Sequence, residues 1–310
     1  MSGSTVAVRT ALALYPVRYR RERGDELADV FADTTAEAGS TAKVRELVDL
    51  GAYGLRMRTG LTSGSTGGRL AALAAPLVAG AVGGLAAGRL LIAYLEQDLP
   101  HLSVGELPFL PFWALLGAAL LSGGAALLGH WTAAKLLAGA AALAAVADLV
   151  VQTAAAAVQP LWDFLFALQW DGPFVLWALV LLAAPKDALP VPEWRERGLM
   201  LAAALVVPAV AYPTDVYESW HELAPEWRGL MVCVPLLMVL SVVRGWYLAA
   251  VPGLALLPWA LCVNLHALWQ QEGGAWRLLP MVVAVVAVAV ALVLVGRRKG
   301  PVGQRGRLTA

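Results

Sequence analysis

Charge is scarce in this chain: Asp, Glu, Lys and Arg make up 15% of its 310 residues, where a soluble domain carries about 25%. That shortage excludes an ordinary water-soluble globular chain. The 59% of hydrophobic residues and a mean hydropathy of +0.68 point instead to a membrane protein. Cysteine is scarcer still. Cys233 and Cys262 both fall inside apolar runs, which excludes a disulfide framework and reads as small core residues. The stretch from Met1 to Arg9 has no charged segment leading into a long apolar one, so no secretory signal is expected. Gly at position 3 and the closing Leu-Thr-Ala carry no lipidation motif.

Catalytic signatures are missing as well. No serine stands with a base, and no HExxH, no DxxxD-type prenyl-diphosphate pattern and no pair of carboxylates inside an apolar run is visible. The chain therefore reads as no enzyme, with no cofactor, no catalytic residue and no metal. The segment Glu218, His221, Glu222 and Glu226 lacks a third group in place to complete a metal site on one helix face.

What is present is a series of long apolar runs. A run near 20 residues spans the hydrocarbon of a bilayer, about 30 Å at 1.5 Å per residue. Spans are expected near 71–94, 108–129, 136–158, 172–185, 197–212, 229–244, 246–267 and 277–296. The reading is an all-α polytopic bundle of about eight transmembrane helices, with six or seven left open because the fourth and fifth runs are short. Lys and Arg are one-sided: with the N-terminus inside, twenty of the 23 fall on cytoplasmic segments. The outer loops gather Glu96, Asp98, Glu106, Asp163, Asp171, Asp215, Glu218, Glu222, Glu226 and Glu272. The positive-inside rule then predicts a multi-pass protein of the cytoplasmic membrane with both termini cytoplasmic.

Four regions follow from these patterns: a small cytosolic helical module over 1–58, a Gly/Ser linker over 59–70, the transmembrane bundle over 71–296 and a basic tail over 297–310. In the module, Val6 to Leu14 reads as a short helix and Pro16 as the first turn of a second. Arg18 and Glu22, then Arg21 and Asp25, stand four apart and can pair. Tyr15, Tyr19 and Leu27 supply packing material. Together Tyr15, Arg18, Tyr19, Arg21, Glu22, Asp25 and Leu27 form the candidate protein-interaction segment. A third helix carries Val44, Leu47, Val48, Gly51 and Leu55 as an amphipathic stripe. So short a unit has a marginal core and is expected to lean on a partner, a second copy or the membrane surface. The first 70 residues hold ten Lys or Arg against eight Asp or Glu, a balance that argues against direct nucleic-acid binding.

Within the apolar runs, Gly80, Gly84 and Gly88 repeat every four residues, a face on which another helix can approach closely, in this bundle or in a second copy. Arg89 and Asp148 are the formal charges set well inside spans and are candidates for one intramembrane ion pair, with a snorkelling Arg89 or a proton or substrate relay as alternatives. Trp162, Trp170, Trp220, Trp227 and Trp269, with His221 and the acidic loops, form an outer aromatic and acidic group. They read as interfacial anchors or as an outward-facing site for a cationic or amphiphilic ligand.

At Leu14-Tyr-Pro-Val-Arg-Tyr-Arg-Arg-Glu-Arg-Gly-Asp-Glu-Leu27, continuing through Ala36-Glu-Ala-Gly39 and Val44-Arg-Glu-Leu-Val-Asp-Leu50, the chain resembles actinobacterial integral membrane proteins with an N-terminal segment similar to the HAAS signalling domain, often encoded beside PadR-like transcription regulators. The resemblance covers about the first 58 residues. It implies a cytosolic helical module that engages a regulator, with the spans as sensor or anchor. The function expected is thus a non-enzymatic sensor, scaffold or regulatory partner. The rival readings are a transporter or permease-like subunit and, behind it, a membrane-embedded enzyme. The partners expected are the lipid bilayer, a PadR-like regulator or other cytosolic protein, and a second copy of the chain.

Overall fold

A computed structural model describes residues 2–95, 110–155, 160–216 and 225–270. Among them the chain is all helical: α1 (Ser2–Ala13), α2 (Val17–Thr35), α3 (Ser40–Thr59), α4 (Thr66–Leu95), α5 (Leu110–Leu127), α6 (Trp131–Ala155), α7 (Pro160–Ala183), α8 (Trp194–Val216), α9 (Pro225–Leu240) and α10 (Tyr247–Gln270). Two compact units emerge, Met1–Ala71 together with Ala183–Ala188, and Ala72–Leu182 together with Leu189–Ala310.

The first unit is built around Tyr15. Pro16 sits at the N-cap of α2 with extended backbone, where its missing N–H costs nothing. This places Tyr15 in the corner between α1 and α2, 2% exposed, in a core with Val8 and Leu12. Its ring stacks on Tyr19 at 5.7 Å and tilts against Tyr53 at 6.2 Å. Gly54 makes the close approach possible, because a methyl group there would overlap the Tyr15 ring.

That contact shifts the buried face of α3 from the one expected. Gly51 and Gly54 are buried, with Leu47, Leu50 and Met57 packed on the core, whereas Val44, Val48 and Leu55 stand 60%, 62% and 49% exposed. Counting large apolar residues favoured the valines. The two glycines decide the docking, since they let Leu14 and Tyr15 reach the helix backbone. The segment read as a linker is an ordered turn. Gly60 takes the left-handed conformation that ends α3, Ser65 Oγ donates to the carbonyls of Gly60 and Thr62, and α4 already begins at Thr66.

In the second unit, helix α6 sorts its residues the other way. On α6, Ala134, Ala138, Ala141 and Ala145 are buried while Leu136, Leu143 and Val150 are 70%, 74% and 61% exposed. Small residues inside and large aliphatic ones outside suit a helix that packs on its neighbours and faces lipid. Helices α4, α5, α6 and α10 are long and apolar enough to cross a membrane, and Ala167–Ala183 and Met231–Leu240 are shorter apolar segments. Helices α4 to α10 overlap the first seven expected spans. The eighth, 277–296, lies outside the described residues, as do the 297–310 tail and most of the acidic loops.

Gly80, Gly84 and Gly88 pack within the chain. A Cβ on each would overlap Met200, Ala204 and Pro208 in turn, a matching four-residue register on α8. A neighbouring glycine, Gly83, meets Gly123 of α5 backbone to backbone. Helix α4 is thereby enclosed on both sides, which explains its nearly continuous burial from Ala74 to Ala86. Both cysteines are free, Cys262 buried and Cys233 half-buried.

Candidate functional site

Immediately after the glycine face, α4 carries Arg89, only 4% exposed. Its Nη1 donates to the Trp170 carbonyl at 2.6 Å, and its guanidinium lies 4.5 Å from the Trp170 ring centre and 5.4 Å from that of Phe174. Pro173 lies inside α7, three residues past this carbonyl; lacking an N–H, it leaves the carbonyl of Gln169, the neighbour of Trp170, without the usual backbone donor. Stacking on aromatic faces and donation to a backbone oxygen are two ways to keep a cation charged away from water.

Asp148 is 2% exposed and continues the alanine stripe of α6 toward its C-terminal end. Gln152, one turn on, donates Nε2 to Asp148 Oδ2 at 2.5 Å. Asp171 is 1% exposed, and its carboxyl neighbours both that of Asp148 and the Arg89 guanidinium. Neither Asp171 oxygen receives a hydrogen bond. Helix α10 closes the same region: Cys262 Sγ lies against Gly172, Trp177 Nε1 donates to the Ala255 carbonyl at 2.7 Å, and Asn264 Nδ2 donates to the Ala260 carbonyl at 2.8 Å.

Two expectations change here. The site is a three-charge cluster and not a simple pair, because Asp171 lies on a helix running from Pro160 to Ala183 and not in an outer loop. A carboxylate pair does exist inside the apolar body, contrary to the sequence reading. Of the outer aromatic group, Trp170 packs its ring on the Arg89 guanidinium. The expected span began at 172, which left Asp171 among the outer loops; the signal that could have revealed it is the largely apolar stretch Phe164 to Trp170 just before it.

The rest of the outer group lies beyond what can be compared. Trp220 and His221 are outside the described residues, and Trp162, Trp227 and Trp269 sit on α7, α9 and α10 with side chains outside them. Among the described residues no group of three or more His, Cys, Asp or Glu side chains could hold a metal.

In the first unit the charged segment divides by exposure. Arg18, Arg21, Glu22 and Asp25 are exposed, whereas Tyr15 is interior and Tyr19 and Leu27 pack against it. Tyr15 thus organises the unit and cannot itself meet a partner. The expected pair Arg18–Glu22 forms at 3.0 Å, and a second one joins Arg23 to Glu26 at 2.8 Å. Burial, together with the Tyr19 and Tyr53 hydroxyls, pushes the Tyr15 phenol from 10.0 up to about 12. A cavity of 820 Å³ opens between the three helices, with Val8, Leu12, Phe31 and Leu47 on its walls and Arg9, Arg20, Lys43 and Asp25 among its lining charges.

Compared with protein-family models, with curated proteins and with solved structures, the chain matches none. Function must be read from the geometry of these two regions.

Proposed function

We propose that this chain is a polytopic protein of the cytoplasmic membrane, with about eight spans and both termini cytoplasmic, whose N-terminal helices serve as a protein-interaction platform in a non-enzymatic sensing or scaffolding role. The observation that carries the reading is the 820 Å³ cavity in the three-helix unit, apolar inside and mostly basic in its charged lining. A concave apolar surface of this size is a ready seat for a partner's side chains. The cytoplasmic placement draws on the one-sided Lys and Arg pattern and on the inclusion of Lys186, another expected cytoplasmic residue, in the first compact unit. The partner suggested by the sequence resemblance is a PadR-like regulator. Deleting residues 1–58 should abolish co-purification of the regulator encoded nearest the gene, while the remaining chain still enters the membrane. Equal recovery with and without those residues would overturn the reading.

A second reading is favoured by Arg89, Asp148 and Asp171, since charges buried inside a span commonly line ion or solute pathways. It takes the chain as a transporter or permease-like subunit. Flux through proteoliposomes that Arg89→Gln abolishes would support it, and equal flux in the variant would exclude these residues from the path.

A further inference from the structure

We propose that the carboxyls of Asp148 and Asp171 form a proton-binding site within the second unit, holding one shared proton beside Arg89. The inference is independent of the role given to the N-terminal helices.

The groups facing the pair come from each element packed there. Helix α4 contributes Arg89, α6 contributes Asp148 and Gln152, α7 contributes Asp171 and the Trp170 carbonyl that Arg89 occupies, and α10 brings Cys262 against Gly172. Among the described residues this gives one cation against two carboxyls. With both carboxyls ionised, the buried cluster would carry a net negative charge, which an apolar interior strongly disfavours. One proton brings the sum to zero.

Hydrogen bonding places that proton. Asp148 already accepts from Gln152, whereas the two oxygens of Asp171 receive nothing although the side chain is 1% exposed. Two carboxylates face to face offer acceptors and no donor. A proton on Asp171 supplies the missing donor, directed at Asp148, and leaves Asp148 as the carboxylate held by the Gln152 amide. Two carboxyls sharing one proton because both cannot ionise side by side is a known arrangement in buried sites. No other bond is made or broken: the proton comes from bulk water, forms the Asp171 O–H, and returns to water when the site empties.

The test is infrared spectroscopy of the full chain in lipid nanodiscs at neutral pH, with carbon-13 in the aspartate side-chain carboxyls. The expected result is a carbonyl stretch of a protonated carboxyl that shifts with the label and in heavy water and is unchanged when sodium is replaced by potassium or choline. Asp171→Asn and Asp148→Asn should each lose this band, because the new amide donates to the carboxylate that remains. A wild-type spectrum with no label-sensitive protonated band overturns the proposal without recourse to any variant. So does a band that disappears when sodium or potassium is present, which would mark a metal-cation site, or a band that survives in both variants, which would place the proton elsewhere.

Discussion

In the first unit Tyr15, Val8 and Leu12 turn inward while Arg18, Arg21 and Glu22 face outward; in the second, Leu136, Leu143 and Val150 face outward while Arg89, Asp148 and Asp171 are buried. Each unit buries one face of its helices, yet on α6 small residues lie inside and large aliphatic ones outside. Where a surface meets water, exposed charge is rewarded and ion pairs are worth little because solvent already satisfies them. An apolar surrounding gives no reward for burying leucine, so helices associate through alanine and glycine surfaces and the charges retreat to one another. The difference teaches that Gly54 and Gly84 do the same job under opposite conditions: one admits a tyrosine ring, the other a neighbouring backbone.

Substitutions can break this contrast, the largest effects falling where a buried group loses its compensation. Arg89→Leu leaves the ionised carboxyl of the pair uncompensated and should destabilise the second unit by up to about 5 kcal/mol, read as a lower melting temperature in detergent with the first unit's hydrogen exchange unchanged. Tyr15→Ala removes the ring over Gly54 and should cost the first unit about 3–4 kcal/mol, seen as faster exchange in α1 to α3 with membrane insertion retained. Gly84→Leu forces α4 away from Ala204 and should cost about 1–3 kcal/mol, measurable as loss of folded protein after mild heating. Alkaline pH sharpens the picture. The Tyr15 phenol ionises near 10.0 when unfolded and at about 12 in place. The folded state therefore favours the neutral ring. Its contribution is complete below 10 and is lost as pH rises through 12, a dependence that Tyr15→Phe should remove from the unfolding of the first unit. Glu22→Ala, which deletes the exposed partner of Arg18, should change stability by less than about 0.5 kcal/mol.

Much of the frame was legible from the amino acids. The apolar runs overlap α4 to α10, although α7 begins well before its expected span, and the four-residue glycine spacing marked a packing face that turns out to meet α8. The Arg18–Glu22 pair followed from its i,i+4 spacing. Features set by tertiary approach were hidden. The buried edge of α3 depends on which residues are small enough to admit Tyr15, a property of the partner as much as of the helix. Asp171 was lost because the expected span began at 172 and Gly172-Pro173 usually ends a helix, whereas here α7 continues through it. Tyr15 read both as packing material and as part of the charged interaction segment, and its burial beside Val8 and Leu12 selects the first.

That the outer face of α6 meets lipid while the exposed face of α3 meets water is the claim on which the rest stands, and spin labelling tests it most directly. With Cys233 and Cys262 replaced by alanine, nitroxides at Leu143→Cys and Val48→Cys in the full chain in nanodiscs would be challenged with dissolved oxygen and with a water-soluble nickel chelate. The expected result is a label at 143 relaxed by oxygen and shielded from nickel, and a label at 48 relaxed by nickel. Strong relaxation of the 143 label by nickel would show that the alanine-lined helix faces water, and would contradict the account.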